Sequence, residues 1–353
     1  MNAPCDKELA QLYSLERKNY KRLLRRKKKE FNDALVDRLH SIEENDPKAF
    51  WEIFNELSEL DKKCSTDNPI DSEKWLTHFR ELMSKQRGHK LPEFEQFVEA
   101  HVQENAGTIF NELNYTIKTE EIRSALKSLK KKKAPGIDGI VNEMLLAGGE
   151  TLVQPLTKLF NLLFSSGHFP EHWRLSMLTL LHKKGARDEC DNYRGIAVSC
   201  ALCKLFCAVL LTRLHGFTIR NDIIPKNQIG YTRKCRTTDH ILTLKTLIDK
   251  YLQRSSEKKL FVGFVDFKSA FDSVWRDGLF YKMLKYGIGG QFLHIIQNMY
   301  SSVQFQIKRS AGITDKFQSF AGVKQGCVLS PALFNILCLI CLPSLTHHVT
   351  LWG

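Results

Sequence analysis

Six consecutive residues, Leu260–Val265 (LFVGFV), carry no polar side chain, and Asp266 follows at once. A run this short and this apolar reads as a buried strand with covered faces, which commits the chain to a sheet with helices packed on it. It also puts a carboxylate at the mouth of that strand, where burial without a cation is strongly unfavourable. Asp266 is therefore a candidate oxygen ligand for a hard divalent cation. If the chain turns into a helix after Asp266, the ring of Phe271 falls about one turn further on, beside whatever such a cation holds.

The rest of the chain offers elements to surround that strand. Residues 175–183 (LSMLTLLHK) and the alternating SVQFQIKRS beginning at Ser302 read as further strands. Helical spacing is clear over residues 13–44, from Asp46-Pro47 onward, and near Asp71, where Trp75, Phe79 and Leu82 share a face. Residues 86–114 look irregular and place a boundary near residue 110, giving a basic helical region over 1–110 and a second domain over 111–353. Beyond it, helices are expected from Glu120, over Thr151–Phe164, from near Val198, over Thr238–Gln253 and after Ser330-Pro331. Helices and strands interleave without a strict alternation, so the expected class is α+β.

A net charge of +13 over 353 residues makes nucleic acid the first partner to consider and an anionic membrane surface the second. The basic face of the 13–44 helix admits three readings: a solvated face, a contact to a nucleic-acid backbone, or a nuclear localisation signal at Lys21–Lys29. The first thirty residues carry ten Lys or Arg and no apolar core of a signal peptide, and no apolar run approaches the length of a membrane span. The expected setting is intracellular, nucleus or cytoplasm, with no secretion and no membrane partner. Two C-x-x-C pairs, Cys200/Cys203 and Cys338/Cys341, lie inside apolar helical runs, where cysteine serves as a small hydrophobe rather than a zinc ligand.

Three further segments bear chemistry. In KKKKAPGIDG (130–139), Pro135-Gly136 suits the centre of a type II turn and Asp138-Gly139 a second bend. Lys131, Lys132 and Lys133 with the backbone at Gly136 then suit a phosphodiester backbone; taken alone, the segment reads rather as lysines complementing the C-terminus of the preceding helix. In LLHKKGARDECDNYRGIAV (180–198), a β-hairpin would aim Lys183 and Arg194 into one space, a clamp for a triphosphate. In GVKQGCVLSPALFNI (322–336), Gln325 and Gly326 offer an amide and bare backbone to a flat ligand, and Ser330-Pro331 opens a helix.

In this order, KAPGIDGI, NYRGI, VDFKSAFDSV and GVKQGCVLSPALFN resemble the reverse transcriptase domain of non-LTR (LINE-type) retrotransposons of the jockey or CR1-like branch, over about residues 115–336. The segment around KWLTHFRELM is similar to the linker preceding the polymerase in these elements. The resemblance implies right-hand polymerase fingers and a partial palm behind a basic helical extension. It implies RNA-directed DNA polymerisation from a DNA primer on an RNA template, with deoxynucleoside triphosphates and Mg2+ or Mn2+. Asp266 becomes the first metal-binding carboxylate, with the Phe267 carbonyl as helper, and Phe271 the gate against a ribose 2′-hydroxyl. Lys183 and Arg194 become triphosphate contacts, and Gln325 and Gly326 line the nucleotide and template pocket. Asp272 becomes structural.

The pattern then breaks. The resemblance expects further carboxylates from an aromatic-Ala-Asp-Asp hairpin, and no Asp or Glu follows Asp315. The tail THHVTLWG does not read as family sequence. An incomplete palm, inactive alone, is the expectation, with LFVGFV left as an apolar edge. Two other classes stand beside it: a non-enzymatic nucleic-acid-binding protein using the basic helix and the lysine turn, and a metal-dependent nuclease on Asp266 and Asp272.

Overall fold

The computed structural model describes residues 7–42, 70–84, 92–105, 107–108, 110, 112–232, 235–252, 260–267, 269–309 and 312–339, in two units, Met1–Asn68 and Pro69–Gly353. In the first unit, α1 (Lys7–Ile42) is one continuous helix of 36 residues, longer at its start than the spacing predicts. The helix expected from Asp46-Pro47 lies outside the described residues.

The second unit opens where a side chain satisfies a helix end. The Asp71 carboxylate accepts the Glu73 N–H at 3.1 Å and caps α2 (Ser72–Leu82), which buries Trp75, Leu76 and Phe79. Trp75 meets Tyr193 edge-on at 5.1 Å, and Phe79 stacks on Phe317 at 6.4 Å. The stretch expected to be irregular holds a second helix, α3 (Pro92–Asn105), with Pro92 at its first turn and Val98 and Val102 buried one turn apart. The compact unit therefore begins at Pro69 rather than near residue 110, because α2 and α3 bury their apolar faces within it.

Next come α4 (Thr119–Lys127), α5 (Asn142–Ser166) and the single turn α6 (Glu171–Arg174). The helix predicted over Thr151–Phe164 is the longer arm of α5, which kinks at Gly149 (φ 44°, ψ −127°). A five-stranded sheet follows, built from β1 (Leu175–His182), β2 (Tyr193–Val198), β3 (Val303–Arg309), β4 (Gly312–Ile313) and β5 (Phe317–Ser319). Its order is β2-β1-β3-β4, with β5 also on β3; β1 and β3 run parallel, and the other pairs are antiparallel. Helices α7 (Ala201–Arg220), α8 (Thr237–Leu252), α9 (Arg276–Lys285), α10 (Gly290–Ser301) and α11 (Ser330–Cys338) complete a mixed helix-and-sheet fold.

Helix α7 is long and apolar enough to cross a membrane by length and composition, yet its Leu205, Phe206, Cys207, Leu210 and Leu214 are buried in this core. Cys200, Cys203 and Cys207 are buried with it, and the Cys207 thiol lies 3.9 Å from the Met299 sulfur, as small hydrophobes would. Buried Arg213 joins α7 to α4 through a two-armed ion pair with Glu121 (2.7 and 2.9 Å), and its guanidinium covers the Tyr115 ring at 3.9 Å.

One expectation fails. Leu260–Phe267 forms no strand: Phe261, Phe264 and Val265 are 89%, 73% and 83% exposed, and none of the described strands pairs with the segment. Apolar composition is a reason to be buried, but a strand exists only through a neighbour that takes its N–H and C=O groups. No such neighbour stands beside it among the described residues.

Candidate active site

The second strand of the hairpin organises the site. In the β1–β2 ladder Leu181 faces Arg194, and the Lys183 N–H donates to the Asn192 carbonyl at 2.7 Å. Side chains alternate along a strand, so Lys183 shares the face of Leu181 and hence of Arg194. Both cations are exposed, as the clamp expected from the sequence requires. The opposite face is closed by Phe79, whose ring would lie 2.8 Å from a Cβ at Gly195.

The turn 322–328 docks on the free edge of the same strand. The Ala197 N–H donates to the Gln325 carbonyl at 2.7 Å. Gly326, at φ +109°, passes so close that a Cβ there would stand 2.7 Å from the Ala197 carbonyl and 3.3 Å from Ile196. Within this turn Lys324 is buried, and its ammonium donates to the last carbonyls of α6, Trp173 (3.1 Å) and Arg174 (3.0 Å). Its charge thus holds the turn in place, leaving Gln325 half-exposed and Gly326 exposed.

The lysine turn reaches the exit of β2. A Cβ at Gly136 would meet the Cys200 backbone at 2.5 Å, just before α7. This close approach is the reason for glycine there; Gly136 does not have the positive φ of a type II turn, while Gly139 does (φ 69°), its N–H donating to the Gly136 carbonyl at 3.2 Å. Lys131, Lys132 and Lys133 are exposed. The turn is braced by Glu143, which accepts the Lys132 N–H, and by Asn142, whose amide donates to the Lys130 carbonyl at 2.8 Å. The Lys132 N–H, with the backbone N–H of Glu143 itself, holds the Glu143 carboxyl below the usual glutamate range.

Phe271 adjoins the same turn through its backbone: its carbonyl accepts the Val323 N–H and that of Val274 accepts the Gly322 N–H, both at 2.8 Å. Its ring stacks on Phe334 of α11 (5.2 Å between centroids, 25° between planes) and meets Tyr231 edge-on at 5.8 Å. Phe267 touches the other side of this cluster, 6.4 Å from Phe334. Asp266 is exposed, between the unpaired segment and this cluster. Among the described residues no three His, Cys, Asp or Glu side chains stand together in a way that could hold a metal ion. These residues do not by themselves fit a two-metal centre, which needs carboxylates from two directions.

Sequence reasoning missed Arg276. Its guanidinium is buried and donates to the carbonyls of Tyr300 (2.9 Å), Ser319 (2.9 Å), Ala321 (3.0 Å) and Gly322 (3.0 Å) and to the Ser319 hydroxyl (2.9 Å). Burial draws its pKa down to about 10, which leaves it protonated at neutral pH. One side chain therefore ties the start of α9 to the end of α10 and to the approach of the 322–328 turn. Nothing in the local sequence VWRDG distinguishes this arginine from a solvated one.

Residues 181–351 match the family described as reverse transcriptase (RNA-dependent DNA polymerase). Just under half of the chain is thus similar to reverse transcriptases. The match starts at the end of β1, past the lysine turn, and runs to Leu351, so most of the tail set aside as foreign lies inside it. Similar proteins are the probable RNA-directed DNA polymerase from transposon BS of Drosophila melanogaster (29% identical, covering 62% of this chain and 24% of that protein) and the RNA-directed DNA polymerase from mobile element jockey of the same fly (28%, 62% and 24%). A third is the transposon TX1 uncharacterized 149 kDa protein of Xenopus laevis (27%, 65% and 18%). The matched stretch is similar to RNA-directed DNA polymerases of non-LTR retrotransposons, and the chain spans about a quarter of the length of the first two relatives.

Proposed function

We propose that this chain forms the fingers and part of the palm of an RNA-directed DNA polymerase. It would bind an RNA template, a DNA primer and an incoming deoxynucleoside triphosphate, in the nucleus or cytoplasm. One observation carries this reading. Arg194, the dock for Gly326 and the dock for Gly136 follow one another along β2 and its exit, while the Gly326 turn bonds to the backbone of Phe271. Segments up to 190 residues apart in sequence thereby form one surface. In it Lys183 and Arg194 are triphosphate contacts, Phe271 the 2′-hydroxyl gate, Gln325 and Gly326 the nucleotide floor, and Lys131–Lys133 backbone contacts. Mg2+ or Mn2+ would be the ion, with Asp266 supplying one of its oxygen ligands and the Phe267 carbonyl a helper.

Photocrosslinking of labelled dTTP in the presence of an RNA–DNA template–primer tests the reading. Arg194→Gln and Lys183→Gln are each expected to lower crosslinking about tenfold, the loss of one charge-assisted contact. Unchanged labelling in both would refute the nucleotide site. A second reading, nucleic-acid binding without polymerisation, is favoured by the exposed lysines and the lack of a three-ligand group among the described residues. Template–primer binding that weakens steeply with salt, with no dTTP crosslinking and no primer extension, would support it.

A further inference from the structure

We propose that α1 lies in the major groove of a B-form DNA duplex and grips the phosphates of both strands. Nothing in this inference rests on the polymerase reading. From Arg17 to Lys29 the helix carries nine Lys or Arg and no acid. At about 100° per residue, Arg17, Lys21, Arg25, Lys18, Lys29, Arg22 and Arg26 fall, in that order, across about half of the circumference and along about 18 Å of axis. All seven are exposed. Glu30 engages Arg26 (3.7 Å) and Lys27 (2.8 Å); the other six of the seven have no carboxylate within ion-pair distance among the described residues.

This arrangement opposes the helix itself. Arg17–Lys21, Lys18–Arg22, Lys21–Arg25, Arg22–Arg26 and Arg25–Lys29 are like-charge neighbours one turn apart, which repel. A polyanion removes that repulsion. Its shape follows from the width of the basic face. One phosphate strand meets a stripe, whereas a half-cylinder of cations is complementary to a trough with phosphates on both walls. The major groove of B-DNA admits an α-helix; that of A-form RNA is too deep and narrow. The basic half carries no aromatic side chain on which unpaired bases would stack, since Tyr20 and Phe31 lie on the other half. That other half, with exposed Leu23 and Leu24, is broken by Glu16, Lys27 and Glu30, which disfavours a lipid surface.

Fluorescence anisotropy of the full chain with a 20-bp DNA duplex of arbitrary sequence tests this, against the same duplex as RNA, a single-stranded RNA and phosphatidylserine vesicles. The DNA duplex is expected to bind tightest, and its Kd to rise about a thousandfold between 50 and 200 mM salt. Replacing Arg17, Lys18, Lys21, Arg22, Arg25 and Lys29 together by Gln, a good helix former, should weaken DNA binding at least a hundredfold and flatten the salt slope by about five. The triple change Lys158→Gln, Lys226→Gln, Lys316→Gln, at exposed lysines outside both basic surfaces, should leave that slope in place. Equal or tighter binding of duplex RNA or vesicles, or full DNA binding by the six-site variant, would overturn the proposal. Should the six-site variant lose helix by circular dichroism, dimethyl sulfate footprinting of the unaltered chain decides instead. Protection of guanine N7, which faces the major groove, supports the proposal, and its absence overturns it.

Discussion

The N–H of Ala197 donates to the carbonyl of Gln325 at 2.7 Å, and this bond ties the strand that bears Arg194 to the turn that bears Gly326. The two chain segments are brought so close that only glycine fits beside the bond. Gly326→Ala meets both a φ of +109° and a carbonyl 2.7 Å away. It should destabilise the domain by about 2 kcal/mol or more and lower Tm by about 5 °C. Gly312→Ala, where φ is +132° but no atom lies within 4 Å, should cost less. Differential scanning calorimetry of the two variants separates crowding from backbone strain; equal losses would mean that the close approach at Gly326 is unimportant.

Arg276 is expected to resist conservative replacement. Its fork reaches four carbonyls and a hydroxyl on two chain segments, and a lysine ammonium has three donors on a stem that cannot reproduce that spread. Arg276→Lys should cost about 3 kcal/mol in urea unfolding, most of it from carbonyls left without donors in a buried site. A loss below about 1 kcal/mol would show that water satisfies those carbonyls instead.

The ring pair Phe271–Phe334 should be coupled. Stacked aromatic rings contribute about 0.5–1.5 kcal/mol beyond the area they bury. A double-mutant cycle of Phe271→Leu and Phe334→Leu is expected to return a coupling in that range, and additive losses would contradict the stacking. Because Tyr231 meets the opposite contact of Phe271 edge-on, Phe271→Leu should also sharpen proteolysis around residue 231.

The lysine turn should loosen in acid. Glu143 has its pKa lowered from the ordinary 4.5, chiefly by the Lys132 N–H, then by its own backbone N–H, with the Lys131 charge a lesser cause. A carboxyl depressed in the folded state contributes stability above its unfolded value and loses it as pH falls through the folded one. The amide proton of Lys132, followed by NMR, should therefore hold its hydrogen-bonded shift from pH 7 to about 4.5 and move only below that. Glu143→Gln at pH 7 should reproduce much of the acid spectrum, and an early shift between pH 6 and 5 would contradict the bond.

The parts of this fold that were legible are those whose signals are local. The alternation in Val303–Arg309, the cap at Asp71 and the hairpin that brings Lys183 and Arg194 to one face each follow from neighbours in sequence. Helix α3 was missed: Pro92 and the Val98–Val102 spacing announce it, but the polar residues around them masked the pattern. Arg276 and Lys324 were not legible, because a cation turned inward has the same letter as a solvated one and only tertiary carbonyls distinguish them. The segment Leu260–Val265 misled for the opposite reason. Its letters encode a strand, and the ladder that would realise it depends on a partner strand that local letters do not name.

That unpaired segment gives the chain a reaction order. Folding within one chain is first order, whereas the meeting of two exposed LFVGFV segments is second order, so a tenfold lower concentration slows each chain's encounter tenfold while its folding keeps its pace. Slow, dilute synthesis should thus yield monomer where rapid synthesis of the same chain yields precipitate, although every other contact in the fold is unchanged.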